Sequence, residues 1–126
     1  MQLTLPWPPS VNHYWIRTRR GMTRSKRAKD YLHEAGVALI LQGHQAIACG
    51  VKQGPLYGER LRVRVVAHPP DRRRRDLDNL GKAVCDALEH FRLCRNDSQI
   101  DDWQIIRGER VDGGKLVVFM EAISNG

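Results

Sequence analysis

Residues 61–90 read LRVRVVAHPP DRRRRDLDNL GKAVCDALEH. Leu61, Val63 and Val65 alternate with Arg62 and Arg64, the period-two pattern of a strand with one buried face. His68-Pro69-Pro70 ends that strand, because proline donates nothing to a ladder. Leu77, Leu80, Val84, Leu88 and Phe91 then recur at helical spacing, which predicts a helix from Leu77 to His90 with Asp76 at its N-cap. A strand that feeds a helix and then another strand allows a parallel pair, and this stretch therefore sets the fold class.

Working outward, Gln2–Leu5 reads as a short strand stopped by Pro6-Trp7-Pro8-Pro9. Residues 10–24 read as a basic, partly aromatic loop or flexible arm. Ser25 is a fair N-cap, and Ala28, Tyr31, Leu32, Ala35, Ala38, Leu39 and Gln42 carry a helix to about Ile47. Gly50–Gly58 is a turn region. Towards the carboxyl end, Trp103–Val111 and Lys115–Ile123 read as two strands joined by Asp112-Gly113-Gly114, a hairpin signal. Ser124-Asn125-Gly126 reads as a frayed end. The expected fold is α/β (α+β) in the order β-α-β-α-β-β. It comprises a mixed sheet of about four strands with two main helices, in one domain over residues 1–126.

The charge is separated along the chain. Formal net charge is +7. Arg17, Arg19, Arg20, Arg24, Lys26, Arg27 and Lys29 stand in a stretch without an acid, whereas nine of the fourteen acids fall between Asp76 and Asp112. Basic arms with a confined acidic pocket fit a polyanionic partner better than mere solubility does. Cys49, Cys85 and Cys94 form no CxxC and no zinc spacing; an odd count fits a reducing cytoplasm. No apolar run approaches a membrane span of about 18 residues. No small-molecule cofactor is expected.

The run Asp71-Arg72-Arg73-Arg74-Arg75-Asp76-Leu77-Asp78-Asn79 carries the chemistry. Guanidinium groups grip phosphate oxygens, and paired aspartates are usual oxygen ligands of Mg²⁺ in phosphoryl chemistry. On the expected helix Asp78, Lys82 and Asp86 lie opposite the Leu77/Val84/Leu88 stripe, and a helix N-terminus favours a phosphate. The plain alternative is an N-cap aspartate and a surface Asp78–Lys82 pair worth about 0.2–0.5 kcal/mol. A hard divalent ion usually takes a third protein oxygen, and Asp97, Asp101 and Asp102 are all candidates. Arg72, Arg73, Arg74, Arg75 and the arm residues Arg17, Arg19, Arg20, Arg24, Lys26 and Arg27 are the expected backbone-phosphate contacts. Tyr14 and Trp15 either stack on unpaired bases or pack the arm onto the body. Trp7, between prolines, reads as core or interface. No histidine has a motif-level claim to act as a base; His68 and His90 are nearest in sequence.

The chain resembles the RusA family of Holliday-junction resolvases of bacteria and their prophages. The matching segments are Leu3-Thr4-Leu5-Pro6-Trp7-Pro8-Pro9-Ser10, Pro70 to Leu80, Lys82, Asp86-Ala87-Leu88, Asp97-Ser98-Gln99 and Gly113-Gly114-Lys115-Leu116. The resemblance implies a small homodimer that binds four-way junction DNA. With Mg²⁺ or Mn²⁺ it would nick two strands of like polarity symmetrically, leaving 5′-phosphate and 3′-hydroxyl ends. It also implies catalytic Asp76, Asp78, Lys82 and Asp97, the three aspartates as metal ligands. Asn96 stands where family members often carry a further acid. For a dimer interface, the apolar side of the 25–47 helix and the C-terminal hairpin are both candidates. Two other classes compete: a non-catalytic junction- or nucleic-acid-binding protein, and a basic RNA-binding protein of ribosomal type. Neither calls for a carboxylate cluster.

Overall fold

Leu61, Val63, Val65 and Ala67 are fully buried while Arg62 and Arg64 face solvent, so the alternation in the sequence is realised as a strand covered on one side. The computed structural model describes residues 1–124; Asn125 and Gly126, part of the end expected to fray, lie outside the described residues. The elements in order are β1 (Gln2–Pro6), the helical turn α1 (Val11–Tyr14), β2 (Trp15–Thr18), β3 (Gly21–Arg24), α2 (Lys26–Leu41), the short α3 (Gln45–Ala48), β4 (Leu61–His68), α4 (Gly81–His90), β5 (Ile100–Arg107) and β6 (Lys115–Ala122). Single 3₁₀ turns precede α4 (Leu77–Leu80) and β5 (Asp97–Gln99).

Four strands form one mixed sheet in the order β1-β6-β4-β5. The β4–β5 pair is parallel, with α4 in the crossover between them, while β6 runs antiparallel to β4 and β1. Leu5 pairs with Leu116, Leu3 with Val118 and Val63 with Met120, so one apolar face is continuous across three strands. Tyr31, Leu32, Ala35 and Leu39 of α2, with Val84, Ala87 and Leu88 of α4, belong to the same core cluster. Burying such side chains is the main source of stability. At the β1 edge, Gln42 replaces a missing strand neighbour: its Oε1 accepts from Thr4 N at 2.7 Å and its Nε2 donates to Thr4 O at 2.7 Å.

Several expectations need correction. The Asp112-Gly113-Gly114 turn exists, closed by Gly114 N to Val111 O at 2.8 Å, but β5 and β6 are not neighbours. β4 lies between them, and the connection crosses its end through Gly108 N to Ala67 O and Val111 N to Pro69 O. Alternation marks a strand without naming its partner, and here the parallel crossover claims one edge of β4 and leaves the other for β6.

Residues 10–24 are not a loop. They fold as α1 and a two-stranded hairpin of β2 and β3, separate from the main sheet. The long helix ends at Leu41, where Gly43 at φ +92° and the bonds His44 N to Leu39 O and Gly43 N to Ile40 O form a Schellman-type stop. Residues 45–48 are a separate turn. The helix expected from Leu77 starts as a 3₁₀ turn and becomes α-helical at Gly81. The apolar side of α2, one of the two expected dimer faces, is consumed by the core. Val37, Ile40 and Leu41 remain exposed. Among the described residues no helix is long and apolar enough to cross a membrane.

Candidate active site

The loop between β4 and the 3₁₀ turn is organised by Asp71. Its carboxylate accepts from Arg75 Nη1 at 2.6 Å and Nη2 at 3.0 Å and from the Arg73 amide at 2.8 Å. The bidentate bond from Arg75, then the Arg73 amide, hold the Asp71 carboxyl well below the usual carboxylate range. The same guanidinium lies 5.6 Å from the Trp7 ring centroid, and Arg107 Nη2 donates to the Arg75 carbonyl at 2.7 Å. The four arginines are therefore not equivalent. Arg75 is tied down and half-buried, while Arg72, Arg73 and Arg74 are exposed. Trp7 is partly buried against the core, as its position between prolines suggested.

This clasp delivers Asp76 to the start of the 3₁₀ turn. Asp76 occupies the N-cap position but makes no side-chain capping bond, so its carboxylate is not spent on the helix end. Asp78 lies within the turn and Lys82 in the first turn of α4. All three are exposed, and none forms an ion pair among the described residues. The ordinary Asp78–Lys82 surface pair, which sequence spacing allows, is not made.

The three candidates for a third acid separate clearly. Asp101 is held by Arg60, and Asp102 by Arg62 Nε at 2.9 Å. Asp97 has no cation partner among the described residues. Its loop is braced on both sides. Asn96 accepts from Ser98 N at 2.8 Å, and Gln99 Oε1 accepts from Asn96 N at 2.8 Å, a reciprocal capping box. Gln99 Nε2 reaches Tyr57 O and Glu59 O, and the Asp97 amide donates to Glu89 Oε1 at 2.8 Å. Asn96 is thus occupied as a cap, which leaves the Asp97 side chain free.

Asp97 also lies near enough to Cys85 and Cys94 for its charge to act on both thiols. Burial first, and that charge second, push Cys85 up to about 12. Cys94 is pushed up to about 11, chiefly by burial, with Glu89 and then Asp97 adding to it. At 100° per residue Cys85 and Asp86 fall on opposite flanks of the Lys82–Glu89 line. The Asp97 amide bond to Glu89 sets this loop against α4.

The other flank meets the hairpin. Asp86, whose side chain is 10% exposed, accepts from Arg24 Nε at 2.8 Å and Nη2 at 2.7 Å and from Tyr14 Oη at 2.5 Å. Tyr14 is fully buried, which leaves packing and not base stacking as its role. Arg24, grouped by sequence with the DNA-binding arm, has its guanidinium committed to Asp86. Trp15 packs on Tyr14 with centroids 5.1 Å apart. Arg17, Arg19 and Arg20 are exposed and without an acid partner among the described residues. Lys26 pairs with Asp30 at 3.0 Å, and Arg27 is exposed.

A cleft of about 840 Å³ is lined by Trp7, Ser10, His13, Arg73, Arg74, Asp76 and Asn79, among others. It brings the Pro6–Ser10 segment, whose role the sequence left open, against the arginine loop. It also contains His13, whose Nδ1 lies 2.9 Å from Ser10 Oγ. His68, one of the two histidines nearest the motif, contacts Glu109 O instead. Sequence reasoning gave no role to His13 or Glu89, and it placed Asp71 and Asp86 beside the motif without identifying Arg75 and Arg24 as the partners that engage them. Only the Asn96–Gln99 spacing carried a legible capping signal.

The donors present suit a hard divalent cation: carboxylate oxygens on Asp76, Asp78 and Asp97, uncompensated by any lysine or arginine among the described residues. Among the described residues, three such groups do not already converge there as a finished cage, so joint ligation by all three requires side-chain or loop movement.

Relatives of the chain bear on this arrangement. Residues 6–120 match the family model described as Endodeoxyribonuclease RusA. A crossover junction endodeoxyribonuclease rusA of Enterobacteria phage HK97 is 38% identical over 115 residues, covering 91% of this chain and 88% of that one. Its counterpart in Enterobacteria phage 82 is 36% identical over 126 residues, covering 98% and 95%. A Shigella sonnei protein of the same description is 35% identical over the same shares of the two chains.

Proposed function

The chain belongs to the RusA family of endodeoxyribonucleases, and on that premise we propose that it resolves four-way DNA junctions by paired, symmetric, Mg²⁺-dependent hydrolysis of phosphodiester bonds. One observation carries the reading. Asp76, without a cap or ion-pair partner among the described residues, lines the same cleft as Arg73 and Arg74. A carboxylate left unneutralised beside arginines that grip phosphate suits a metal-assisted nuclease.

In this proposal Asp76, Asp78 and Asp97 hold the ion. Mg²⁺ or Mn²⁺, when bound, supplies charge neutralisation at the scissile phosphate and acidifies water. Lys82, one helical turn beyond Asp78 and free of a partner among the described residues, offsets negative charge on the reacting phosphate. Arg73 and Arg74 hold the backbone at the cleft, and Arg17, Arg19, Arg20 and Arg27 hold it further out. Arg75 acts on the loop and not on DNA. The products carry 5′-phosphate and 3′-hydroxyl ends, so the nicks can be ligated.

A junction offers two equivalent cutting sites and one chain supplies one acidic site, which favours a homodimer. Val37, Ile40 and Leu41 are the apolar residues of α2 left over for such a contact. Three free cysteines suit a reducing cytoplasm.

The test is a synthetic mobile junction incubated with Mg²⁺. Wild type gives paired nicks. Asp76→Asn and Asp78→Asn bind the junction at least as well, since negative charge beside DNA is removed, but do not cut. Cutting by either variant at the wild-type rate removes that residue from the metal site. Binding without any cutting by wild type leaves a non-catalytic junction-binding protein.

A further inference from the structure

The β2–β3 hairpin raises a mechanical problem. Each strand has four residues, and its ladder joins no other strand among the described residues. An isolated two-stranded ribbon of this size is marginal in water. Its direction is therefore set at its root.

That root is closed by a small set of bonds. Trp15 and Arg24 are the last pair of the ladder. Ser25 N donates to Tyr14 O at 2.9 Å, and Ser25 Oγ donates to His13 O at 2.5 Å. Asp86 then grips both legs at once, Tyr14 just before β2 and Arg24 at the end of β3. A charge-assisted fork on a carboxylate that is nearly buried is directional as well as strong. Asp86 is carried by α4, one turn after Lys82. The far end of the hairpin carries Arg17, Arg19 and Arg20.

We infer that Asp86 is a positioning residue: it fixes the basic hairpin at a set distance and angle from the Asp76/Asp78/Lys82 end of α4. The inference rests on the proposed nuclease function. Under it the hairpin is a ruler. Phosphates held by Arg17, Arg19 and Arg20 place a chosen phosphodiester at the carboxylates, so the latch governs where the strand is cut and how fast, more than how tightly DNA is held.

The test uses Asp86→Asn, which keeps the shape and one acceptor but loses the charge, with Tyr14→Phe and Arg24→Lys as milder changes. Hairpin digestion, cutting rate, nick position and junction affinity are measured on each folded variant. In limited trypsin digestion mapped by mass, cleavage after Arg17, Arg19 and Arg20 speeds up about tenfold as the hairpin opens more often. The Arg72–Arg74 loop, which does not touch Asp86, is cut at an unchanged rate and serves as an internal control. On saturating junction DNA with Mg²⁺, the single-turnover rate falls by up to about a hundredfold, the cost expected for a misplaced reacting group. Nicks spread to neighbouring phosphodiesters while junction affinity stays within about threefold of wild type.

Arg24→Lys keeps the charge without the fork and falls between wild type and Asp86→Asn. A lower melting temperature with unchanged hairpin digestion, nick position and rate per folded molecule overturns the inference and leaves Asp86 merely structural. Should Asp86→Asn fail to fold, Tyr14→Phe and Arg24→Lys carry the same readouts. The digestion arm needs no nuclease activity. A wild type that never cuts therefore removes the function and the ruler while leaving the latch itself to be judged by trypsin.

Discussion

Lys82 is the residue at which a plain and a chemical role differ most. It has a neighbour of opposite sign one helical turn away, yet the Asp78–Lys82 pair is not formed. A lysine that only decorated α4 would tolerate Lys82→Ala within a few-fold. A lysine that offsets charge on the reacting phosphate loses about a hundredfold or more in cutting rate, with folding and junction affinity close to normal. Lys82→Arg should rescue poorly, because the planar guanidinium puts its charge elsewhere. Robust cutting by Lys82→Ala at saturating Mg²⁺ leaves a site of three carboxylates alone. The cysteines supply a second residue-scale expectation. Burial pushes Cys85 up to about 12 and Cys94 up to about 11, so both stay protonated and unreactive near neutral pH, while Cys49 is exposed. Alkylation of the native protein near neutral pH should modify exposed Cys49 before half-buried Cys85 and buried Cys94; equal labelling of Cys94 contradicts its burial.

At the scale of elements, the glycines before β6 do a different job from the one their spacing suggests. Gly113 and Gly114 adopt φ of +79° and +73°, as a tight turn requires, but the turn feeds a crossover past β4. A Cβ on Gly114 would sit 2.8 Å from Trp7 Cβ and 3.0 Å from Pro70 Cδ. Trp7 is also the ring on which Arg75 rests. Gly114→Ala should therefore destabilise the fold by about 1–3 kcal/mol, from positive φ and overpacking together. Thermal unfolding measures that cost. Gly113→Ala, with open space around it and strain alone, should cost less. Equal losses from the two would mean that crowding against Trp7 adds nothing.

For the whole molecule, the question is which positive charges meet DNA. Arg73 and Arg74 are exposed at the cleft, and Arg17, Arg19 and Arg20 at the hairpin, whereas Arg75 and Arg24 are committed to Asp71 and Asp86. Replacing Arg73 and Arg74 by Ala should flatten the log–log salt dependence of junction binding by about 0.9 for each phosphate that is no longer neutralised. Arg17→Ala with Arg19→Ala should do the same, and the two sets should add because they sit on separate elements. Arg75→Lys should leave the slope nearly unchanged and slow cutting instead, since charge is kept but the fork on Asp71 is broken. A slope altered by Arg75→Lys as much as by Arg73→Ala assigns Arg75 to DNA directly.

What the residue pattern alone settled was local structure, and it nominated a carboxylate site. Period-two alternation specified β4, a helical stripe specified α4, and Asp76, Asp78 and Lys82 were legible because they lie within a few residues of one another, so backbone geometry alone brings them to one helix end. Residues joined across the chain were not legible. Alternation gives a strand its face but not its neighbours, so β4 between β5 and β6 emerged only in three dimensions. Asp86 with Arg24 and Tyr14, and Arg75 with Trp7 and Arg107, likewise required the folded chain. Among Asp97, Asp101 and Asp102 the residues alone left the third acid open and the family resemblance pointed to Asp97; what the fold adds is which of them an arginine reaches. Arg60 and Arg62 claim Asp101 and Asp102, and the Asn96–Gln99 cap and Glu89 brace the remaining loop, with no cation on the Asp97 carboxylate among the described residues. Pairing across distant segments is decided by packing, because a charge is committed only when the fold carries its partner to within a hydrogen bond's length.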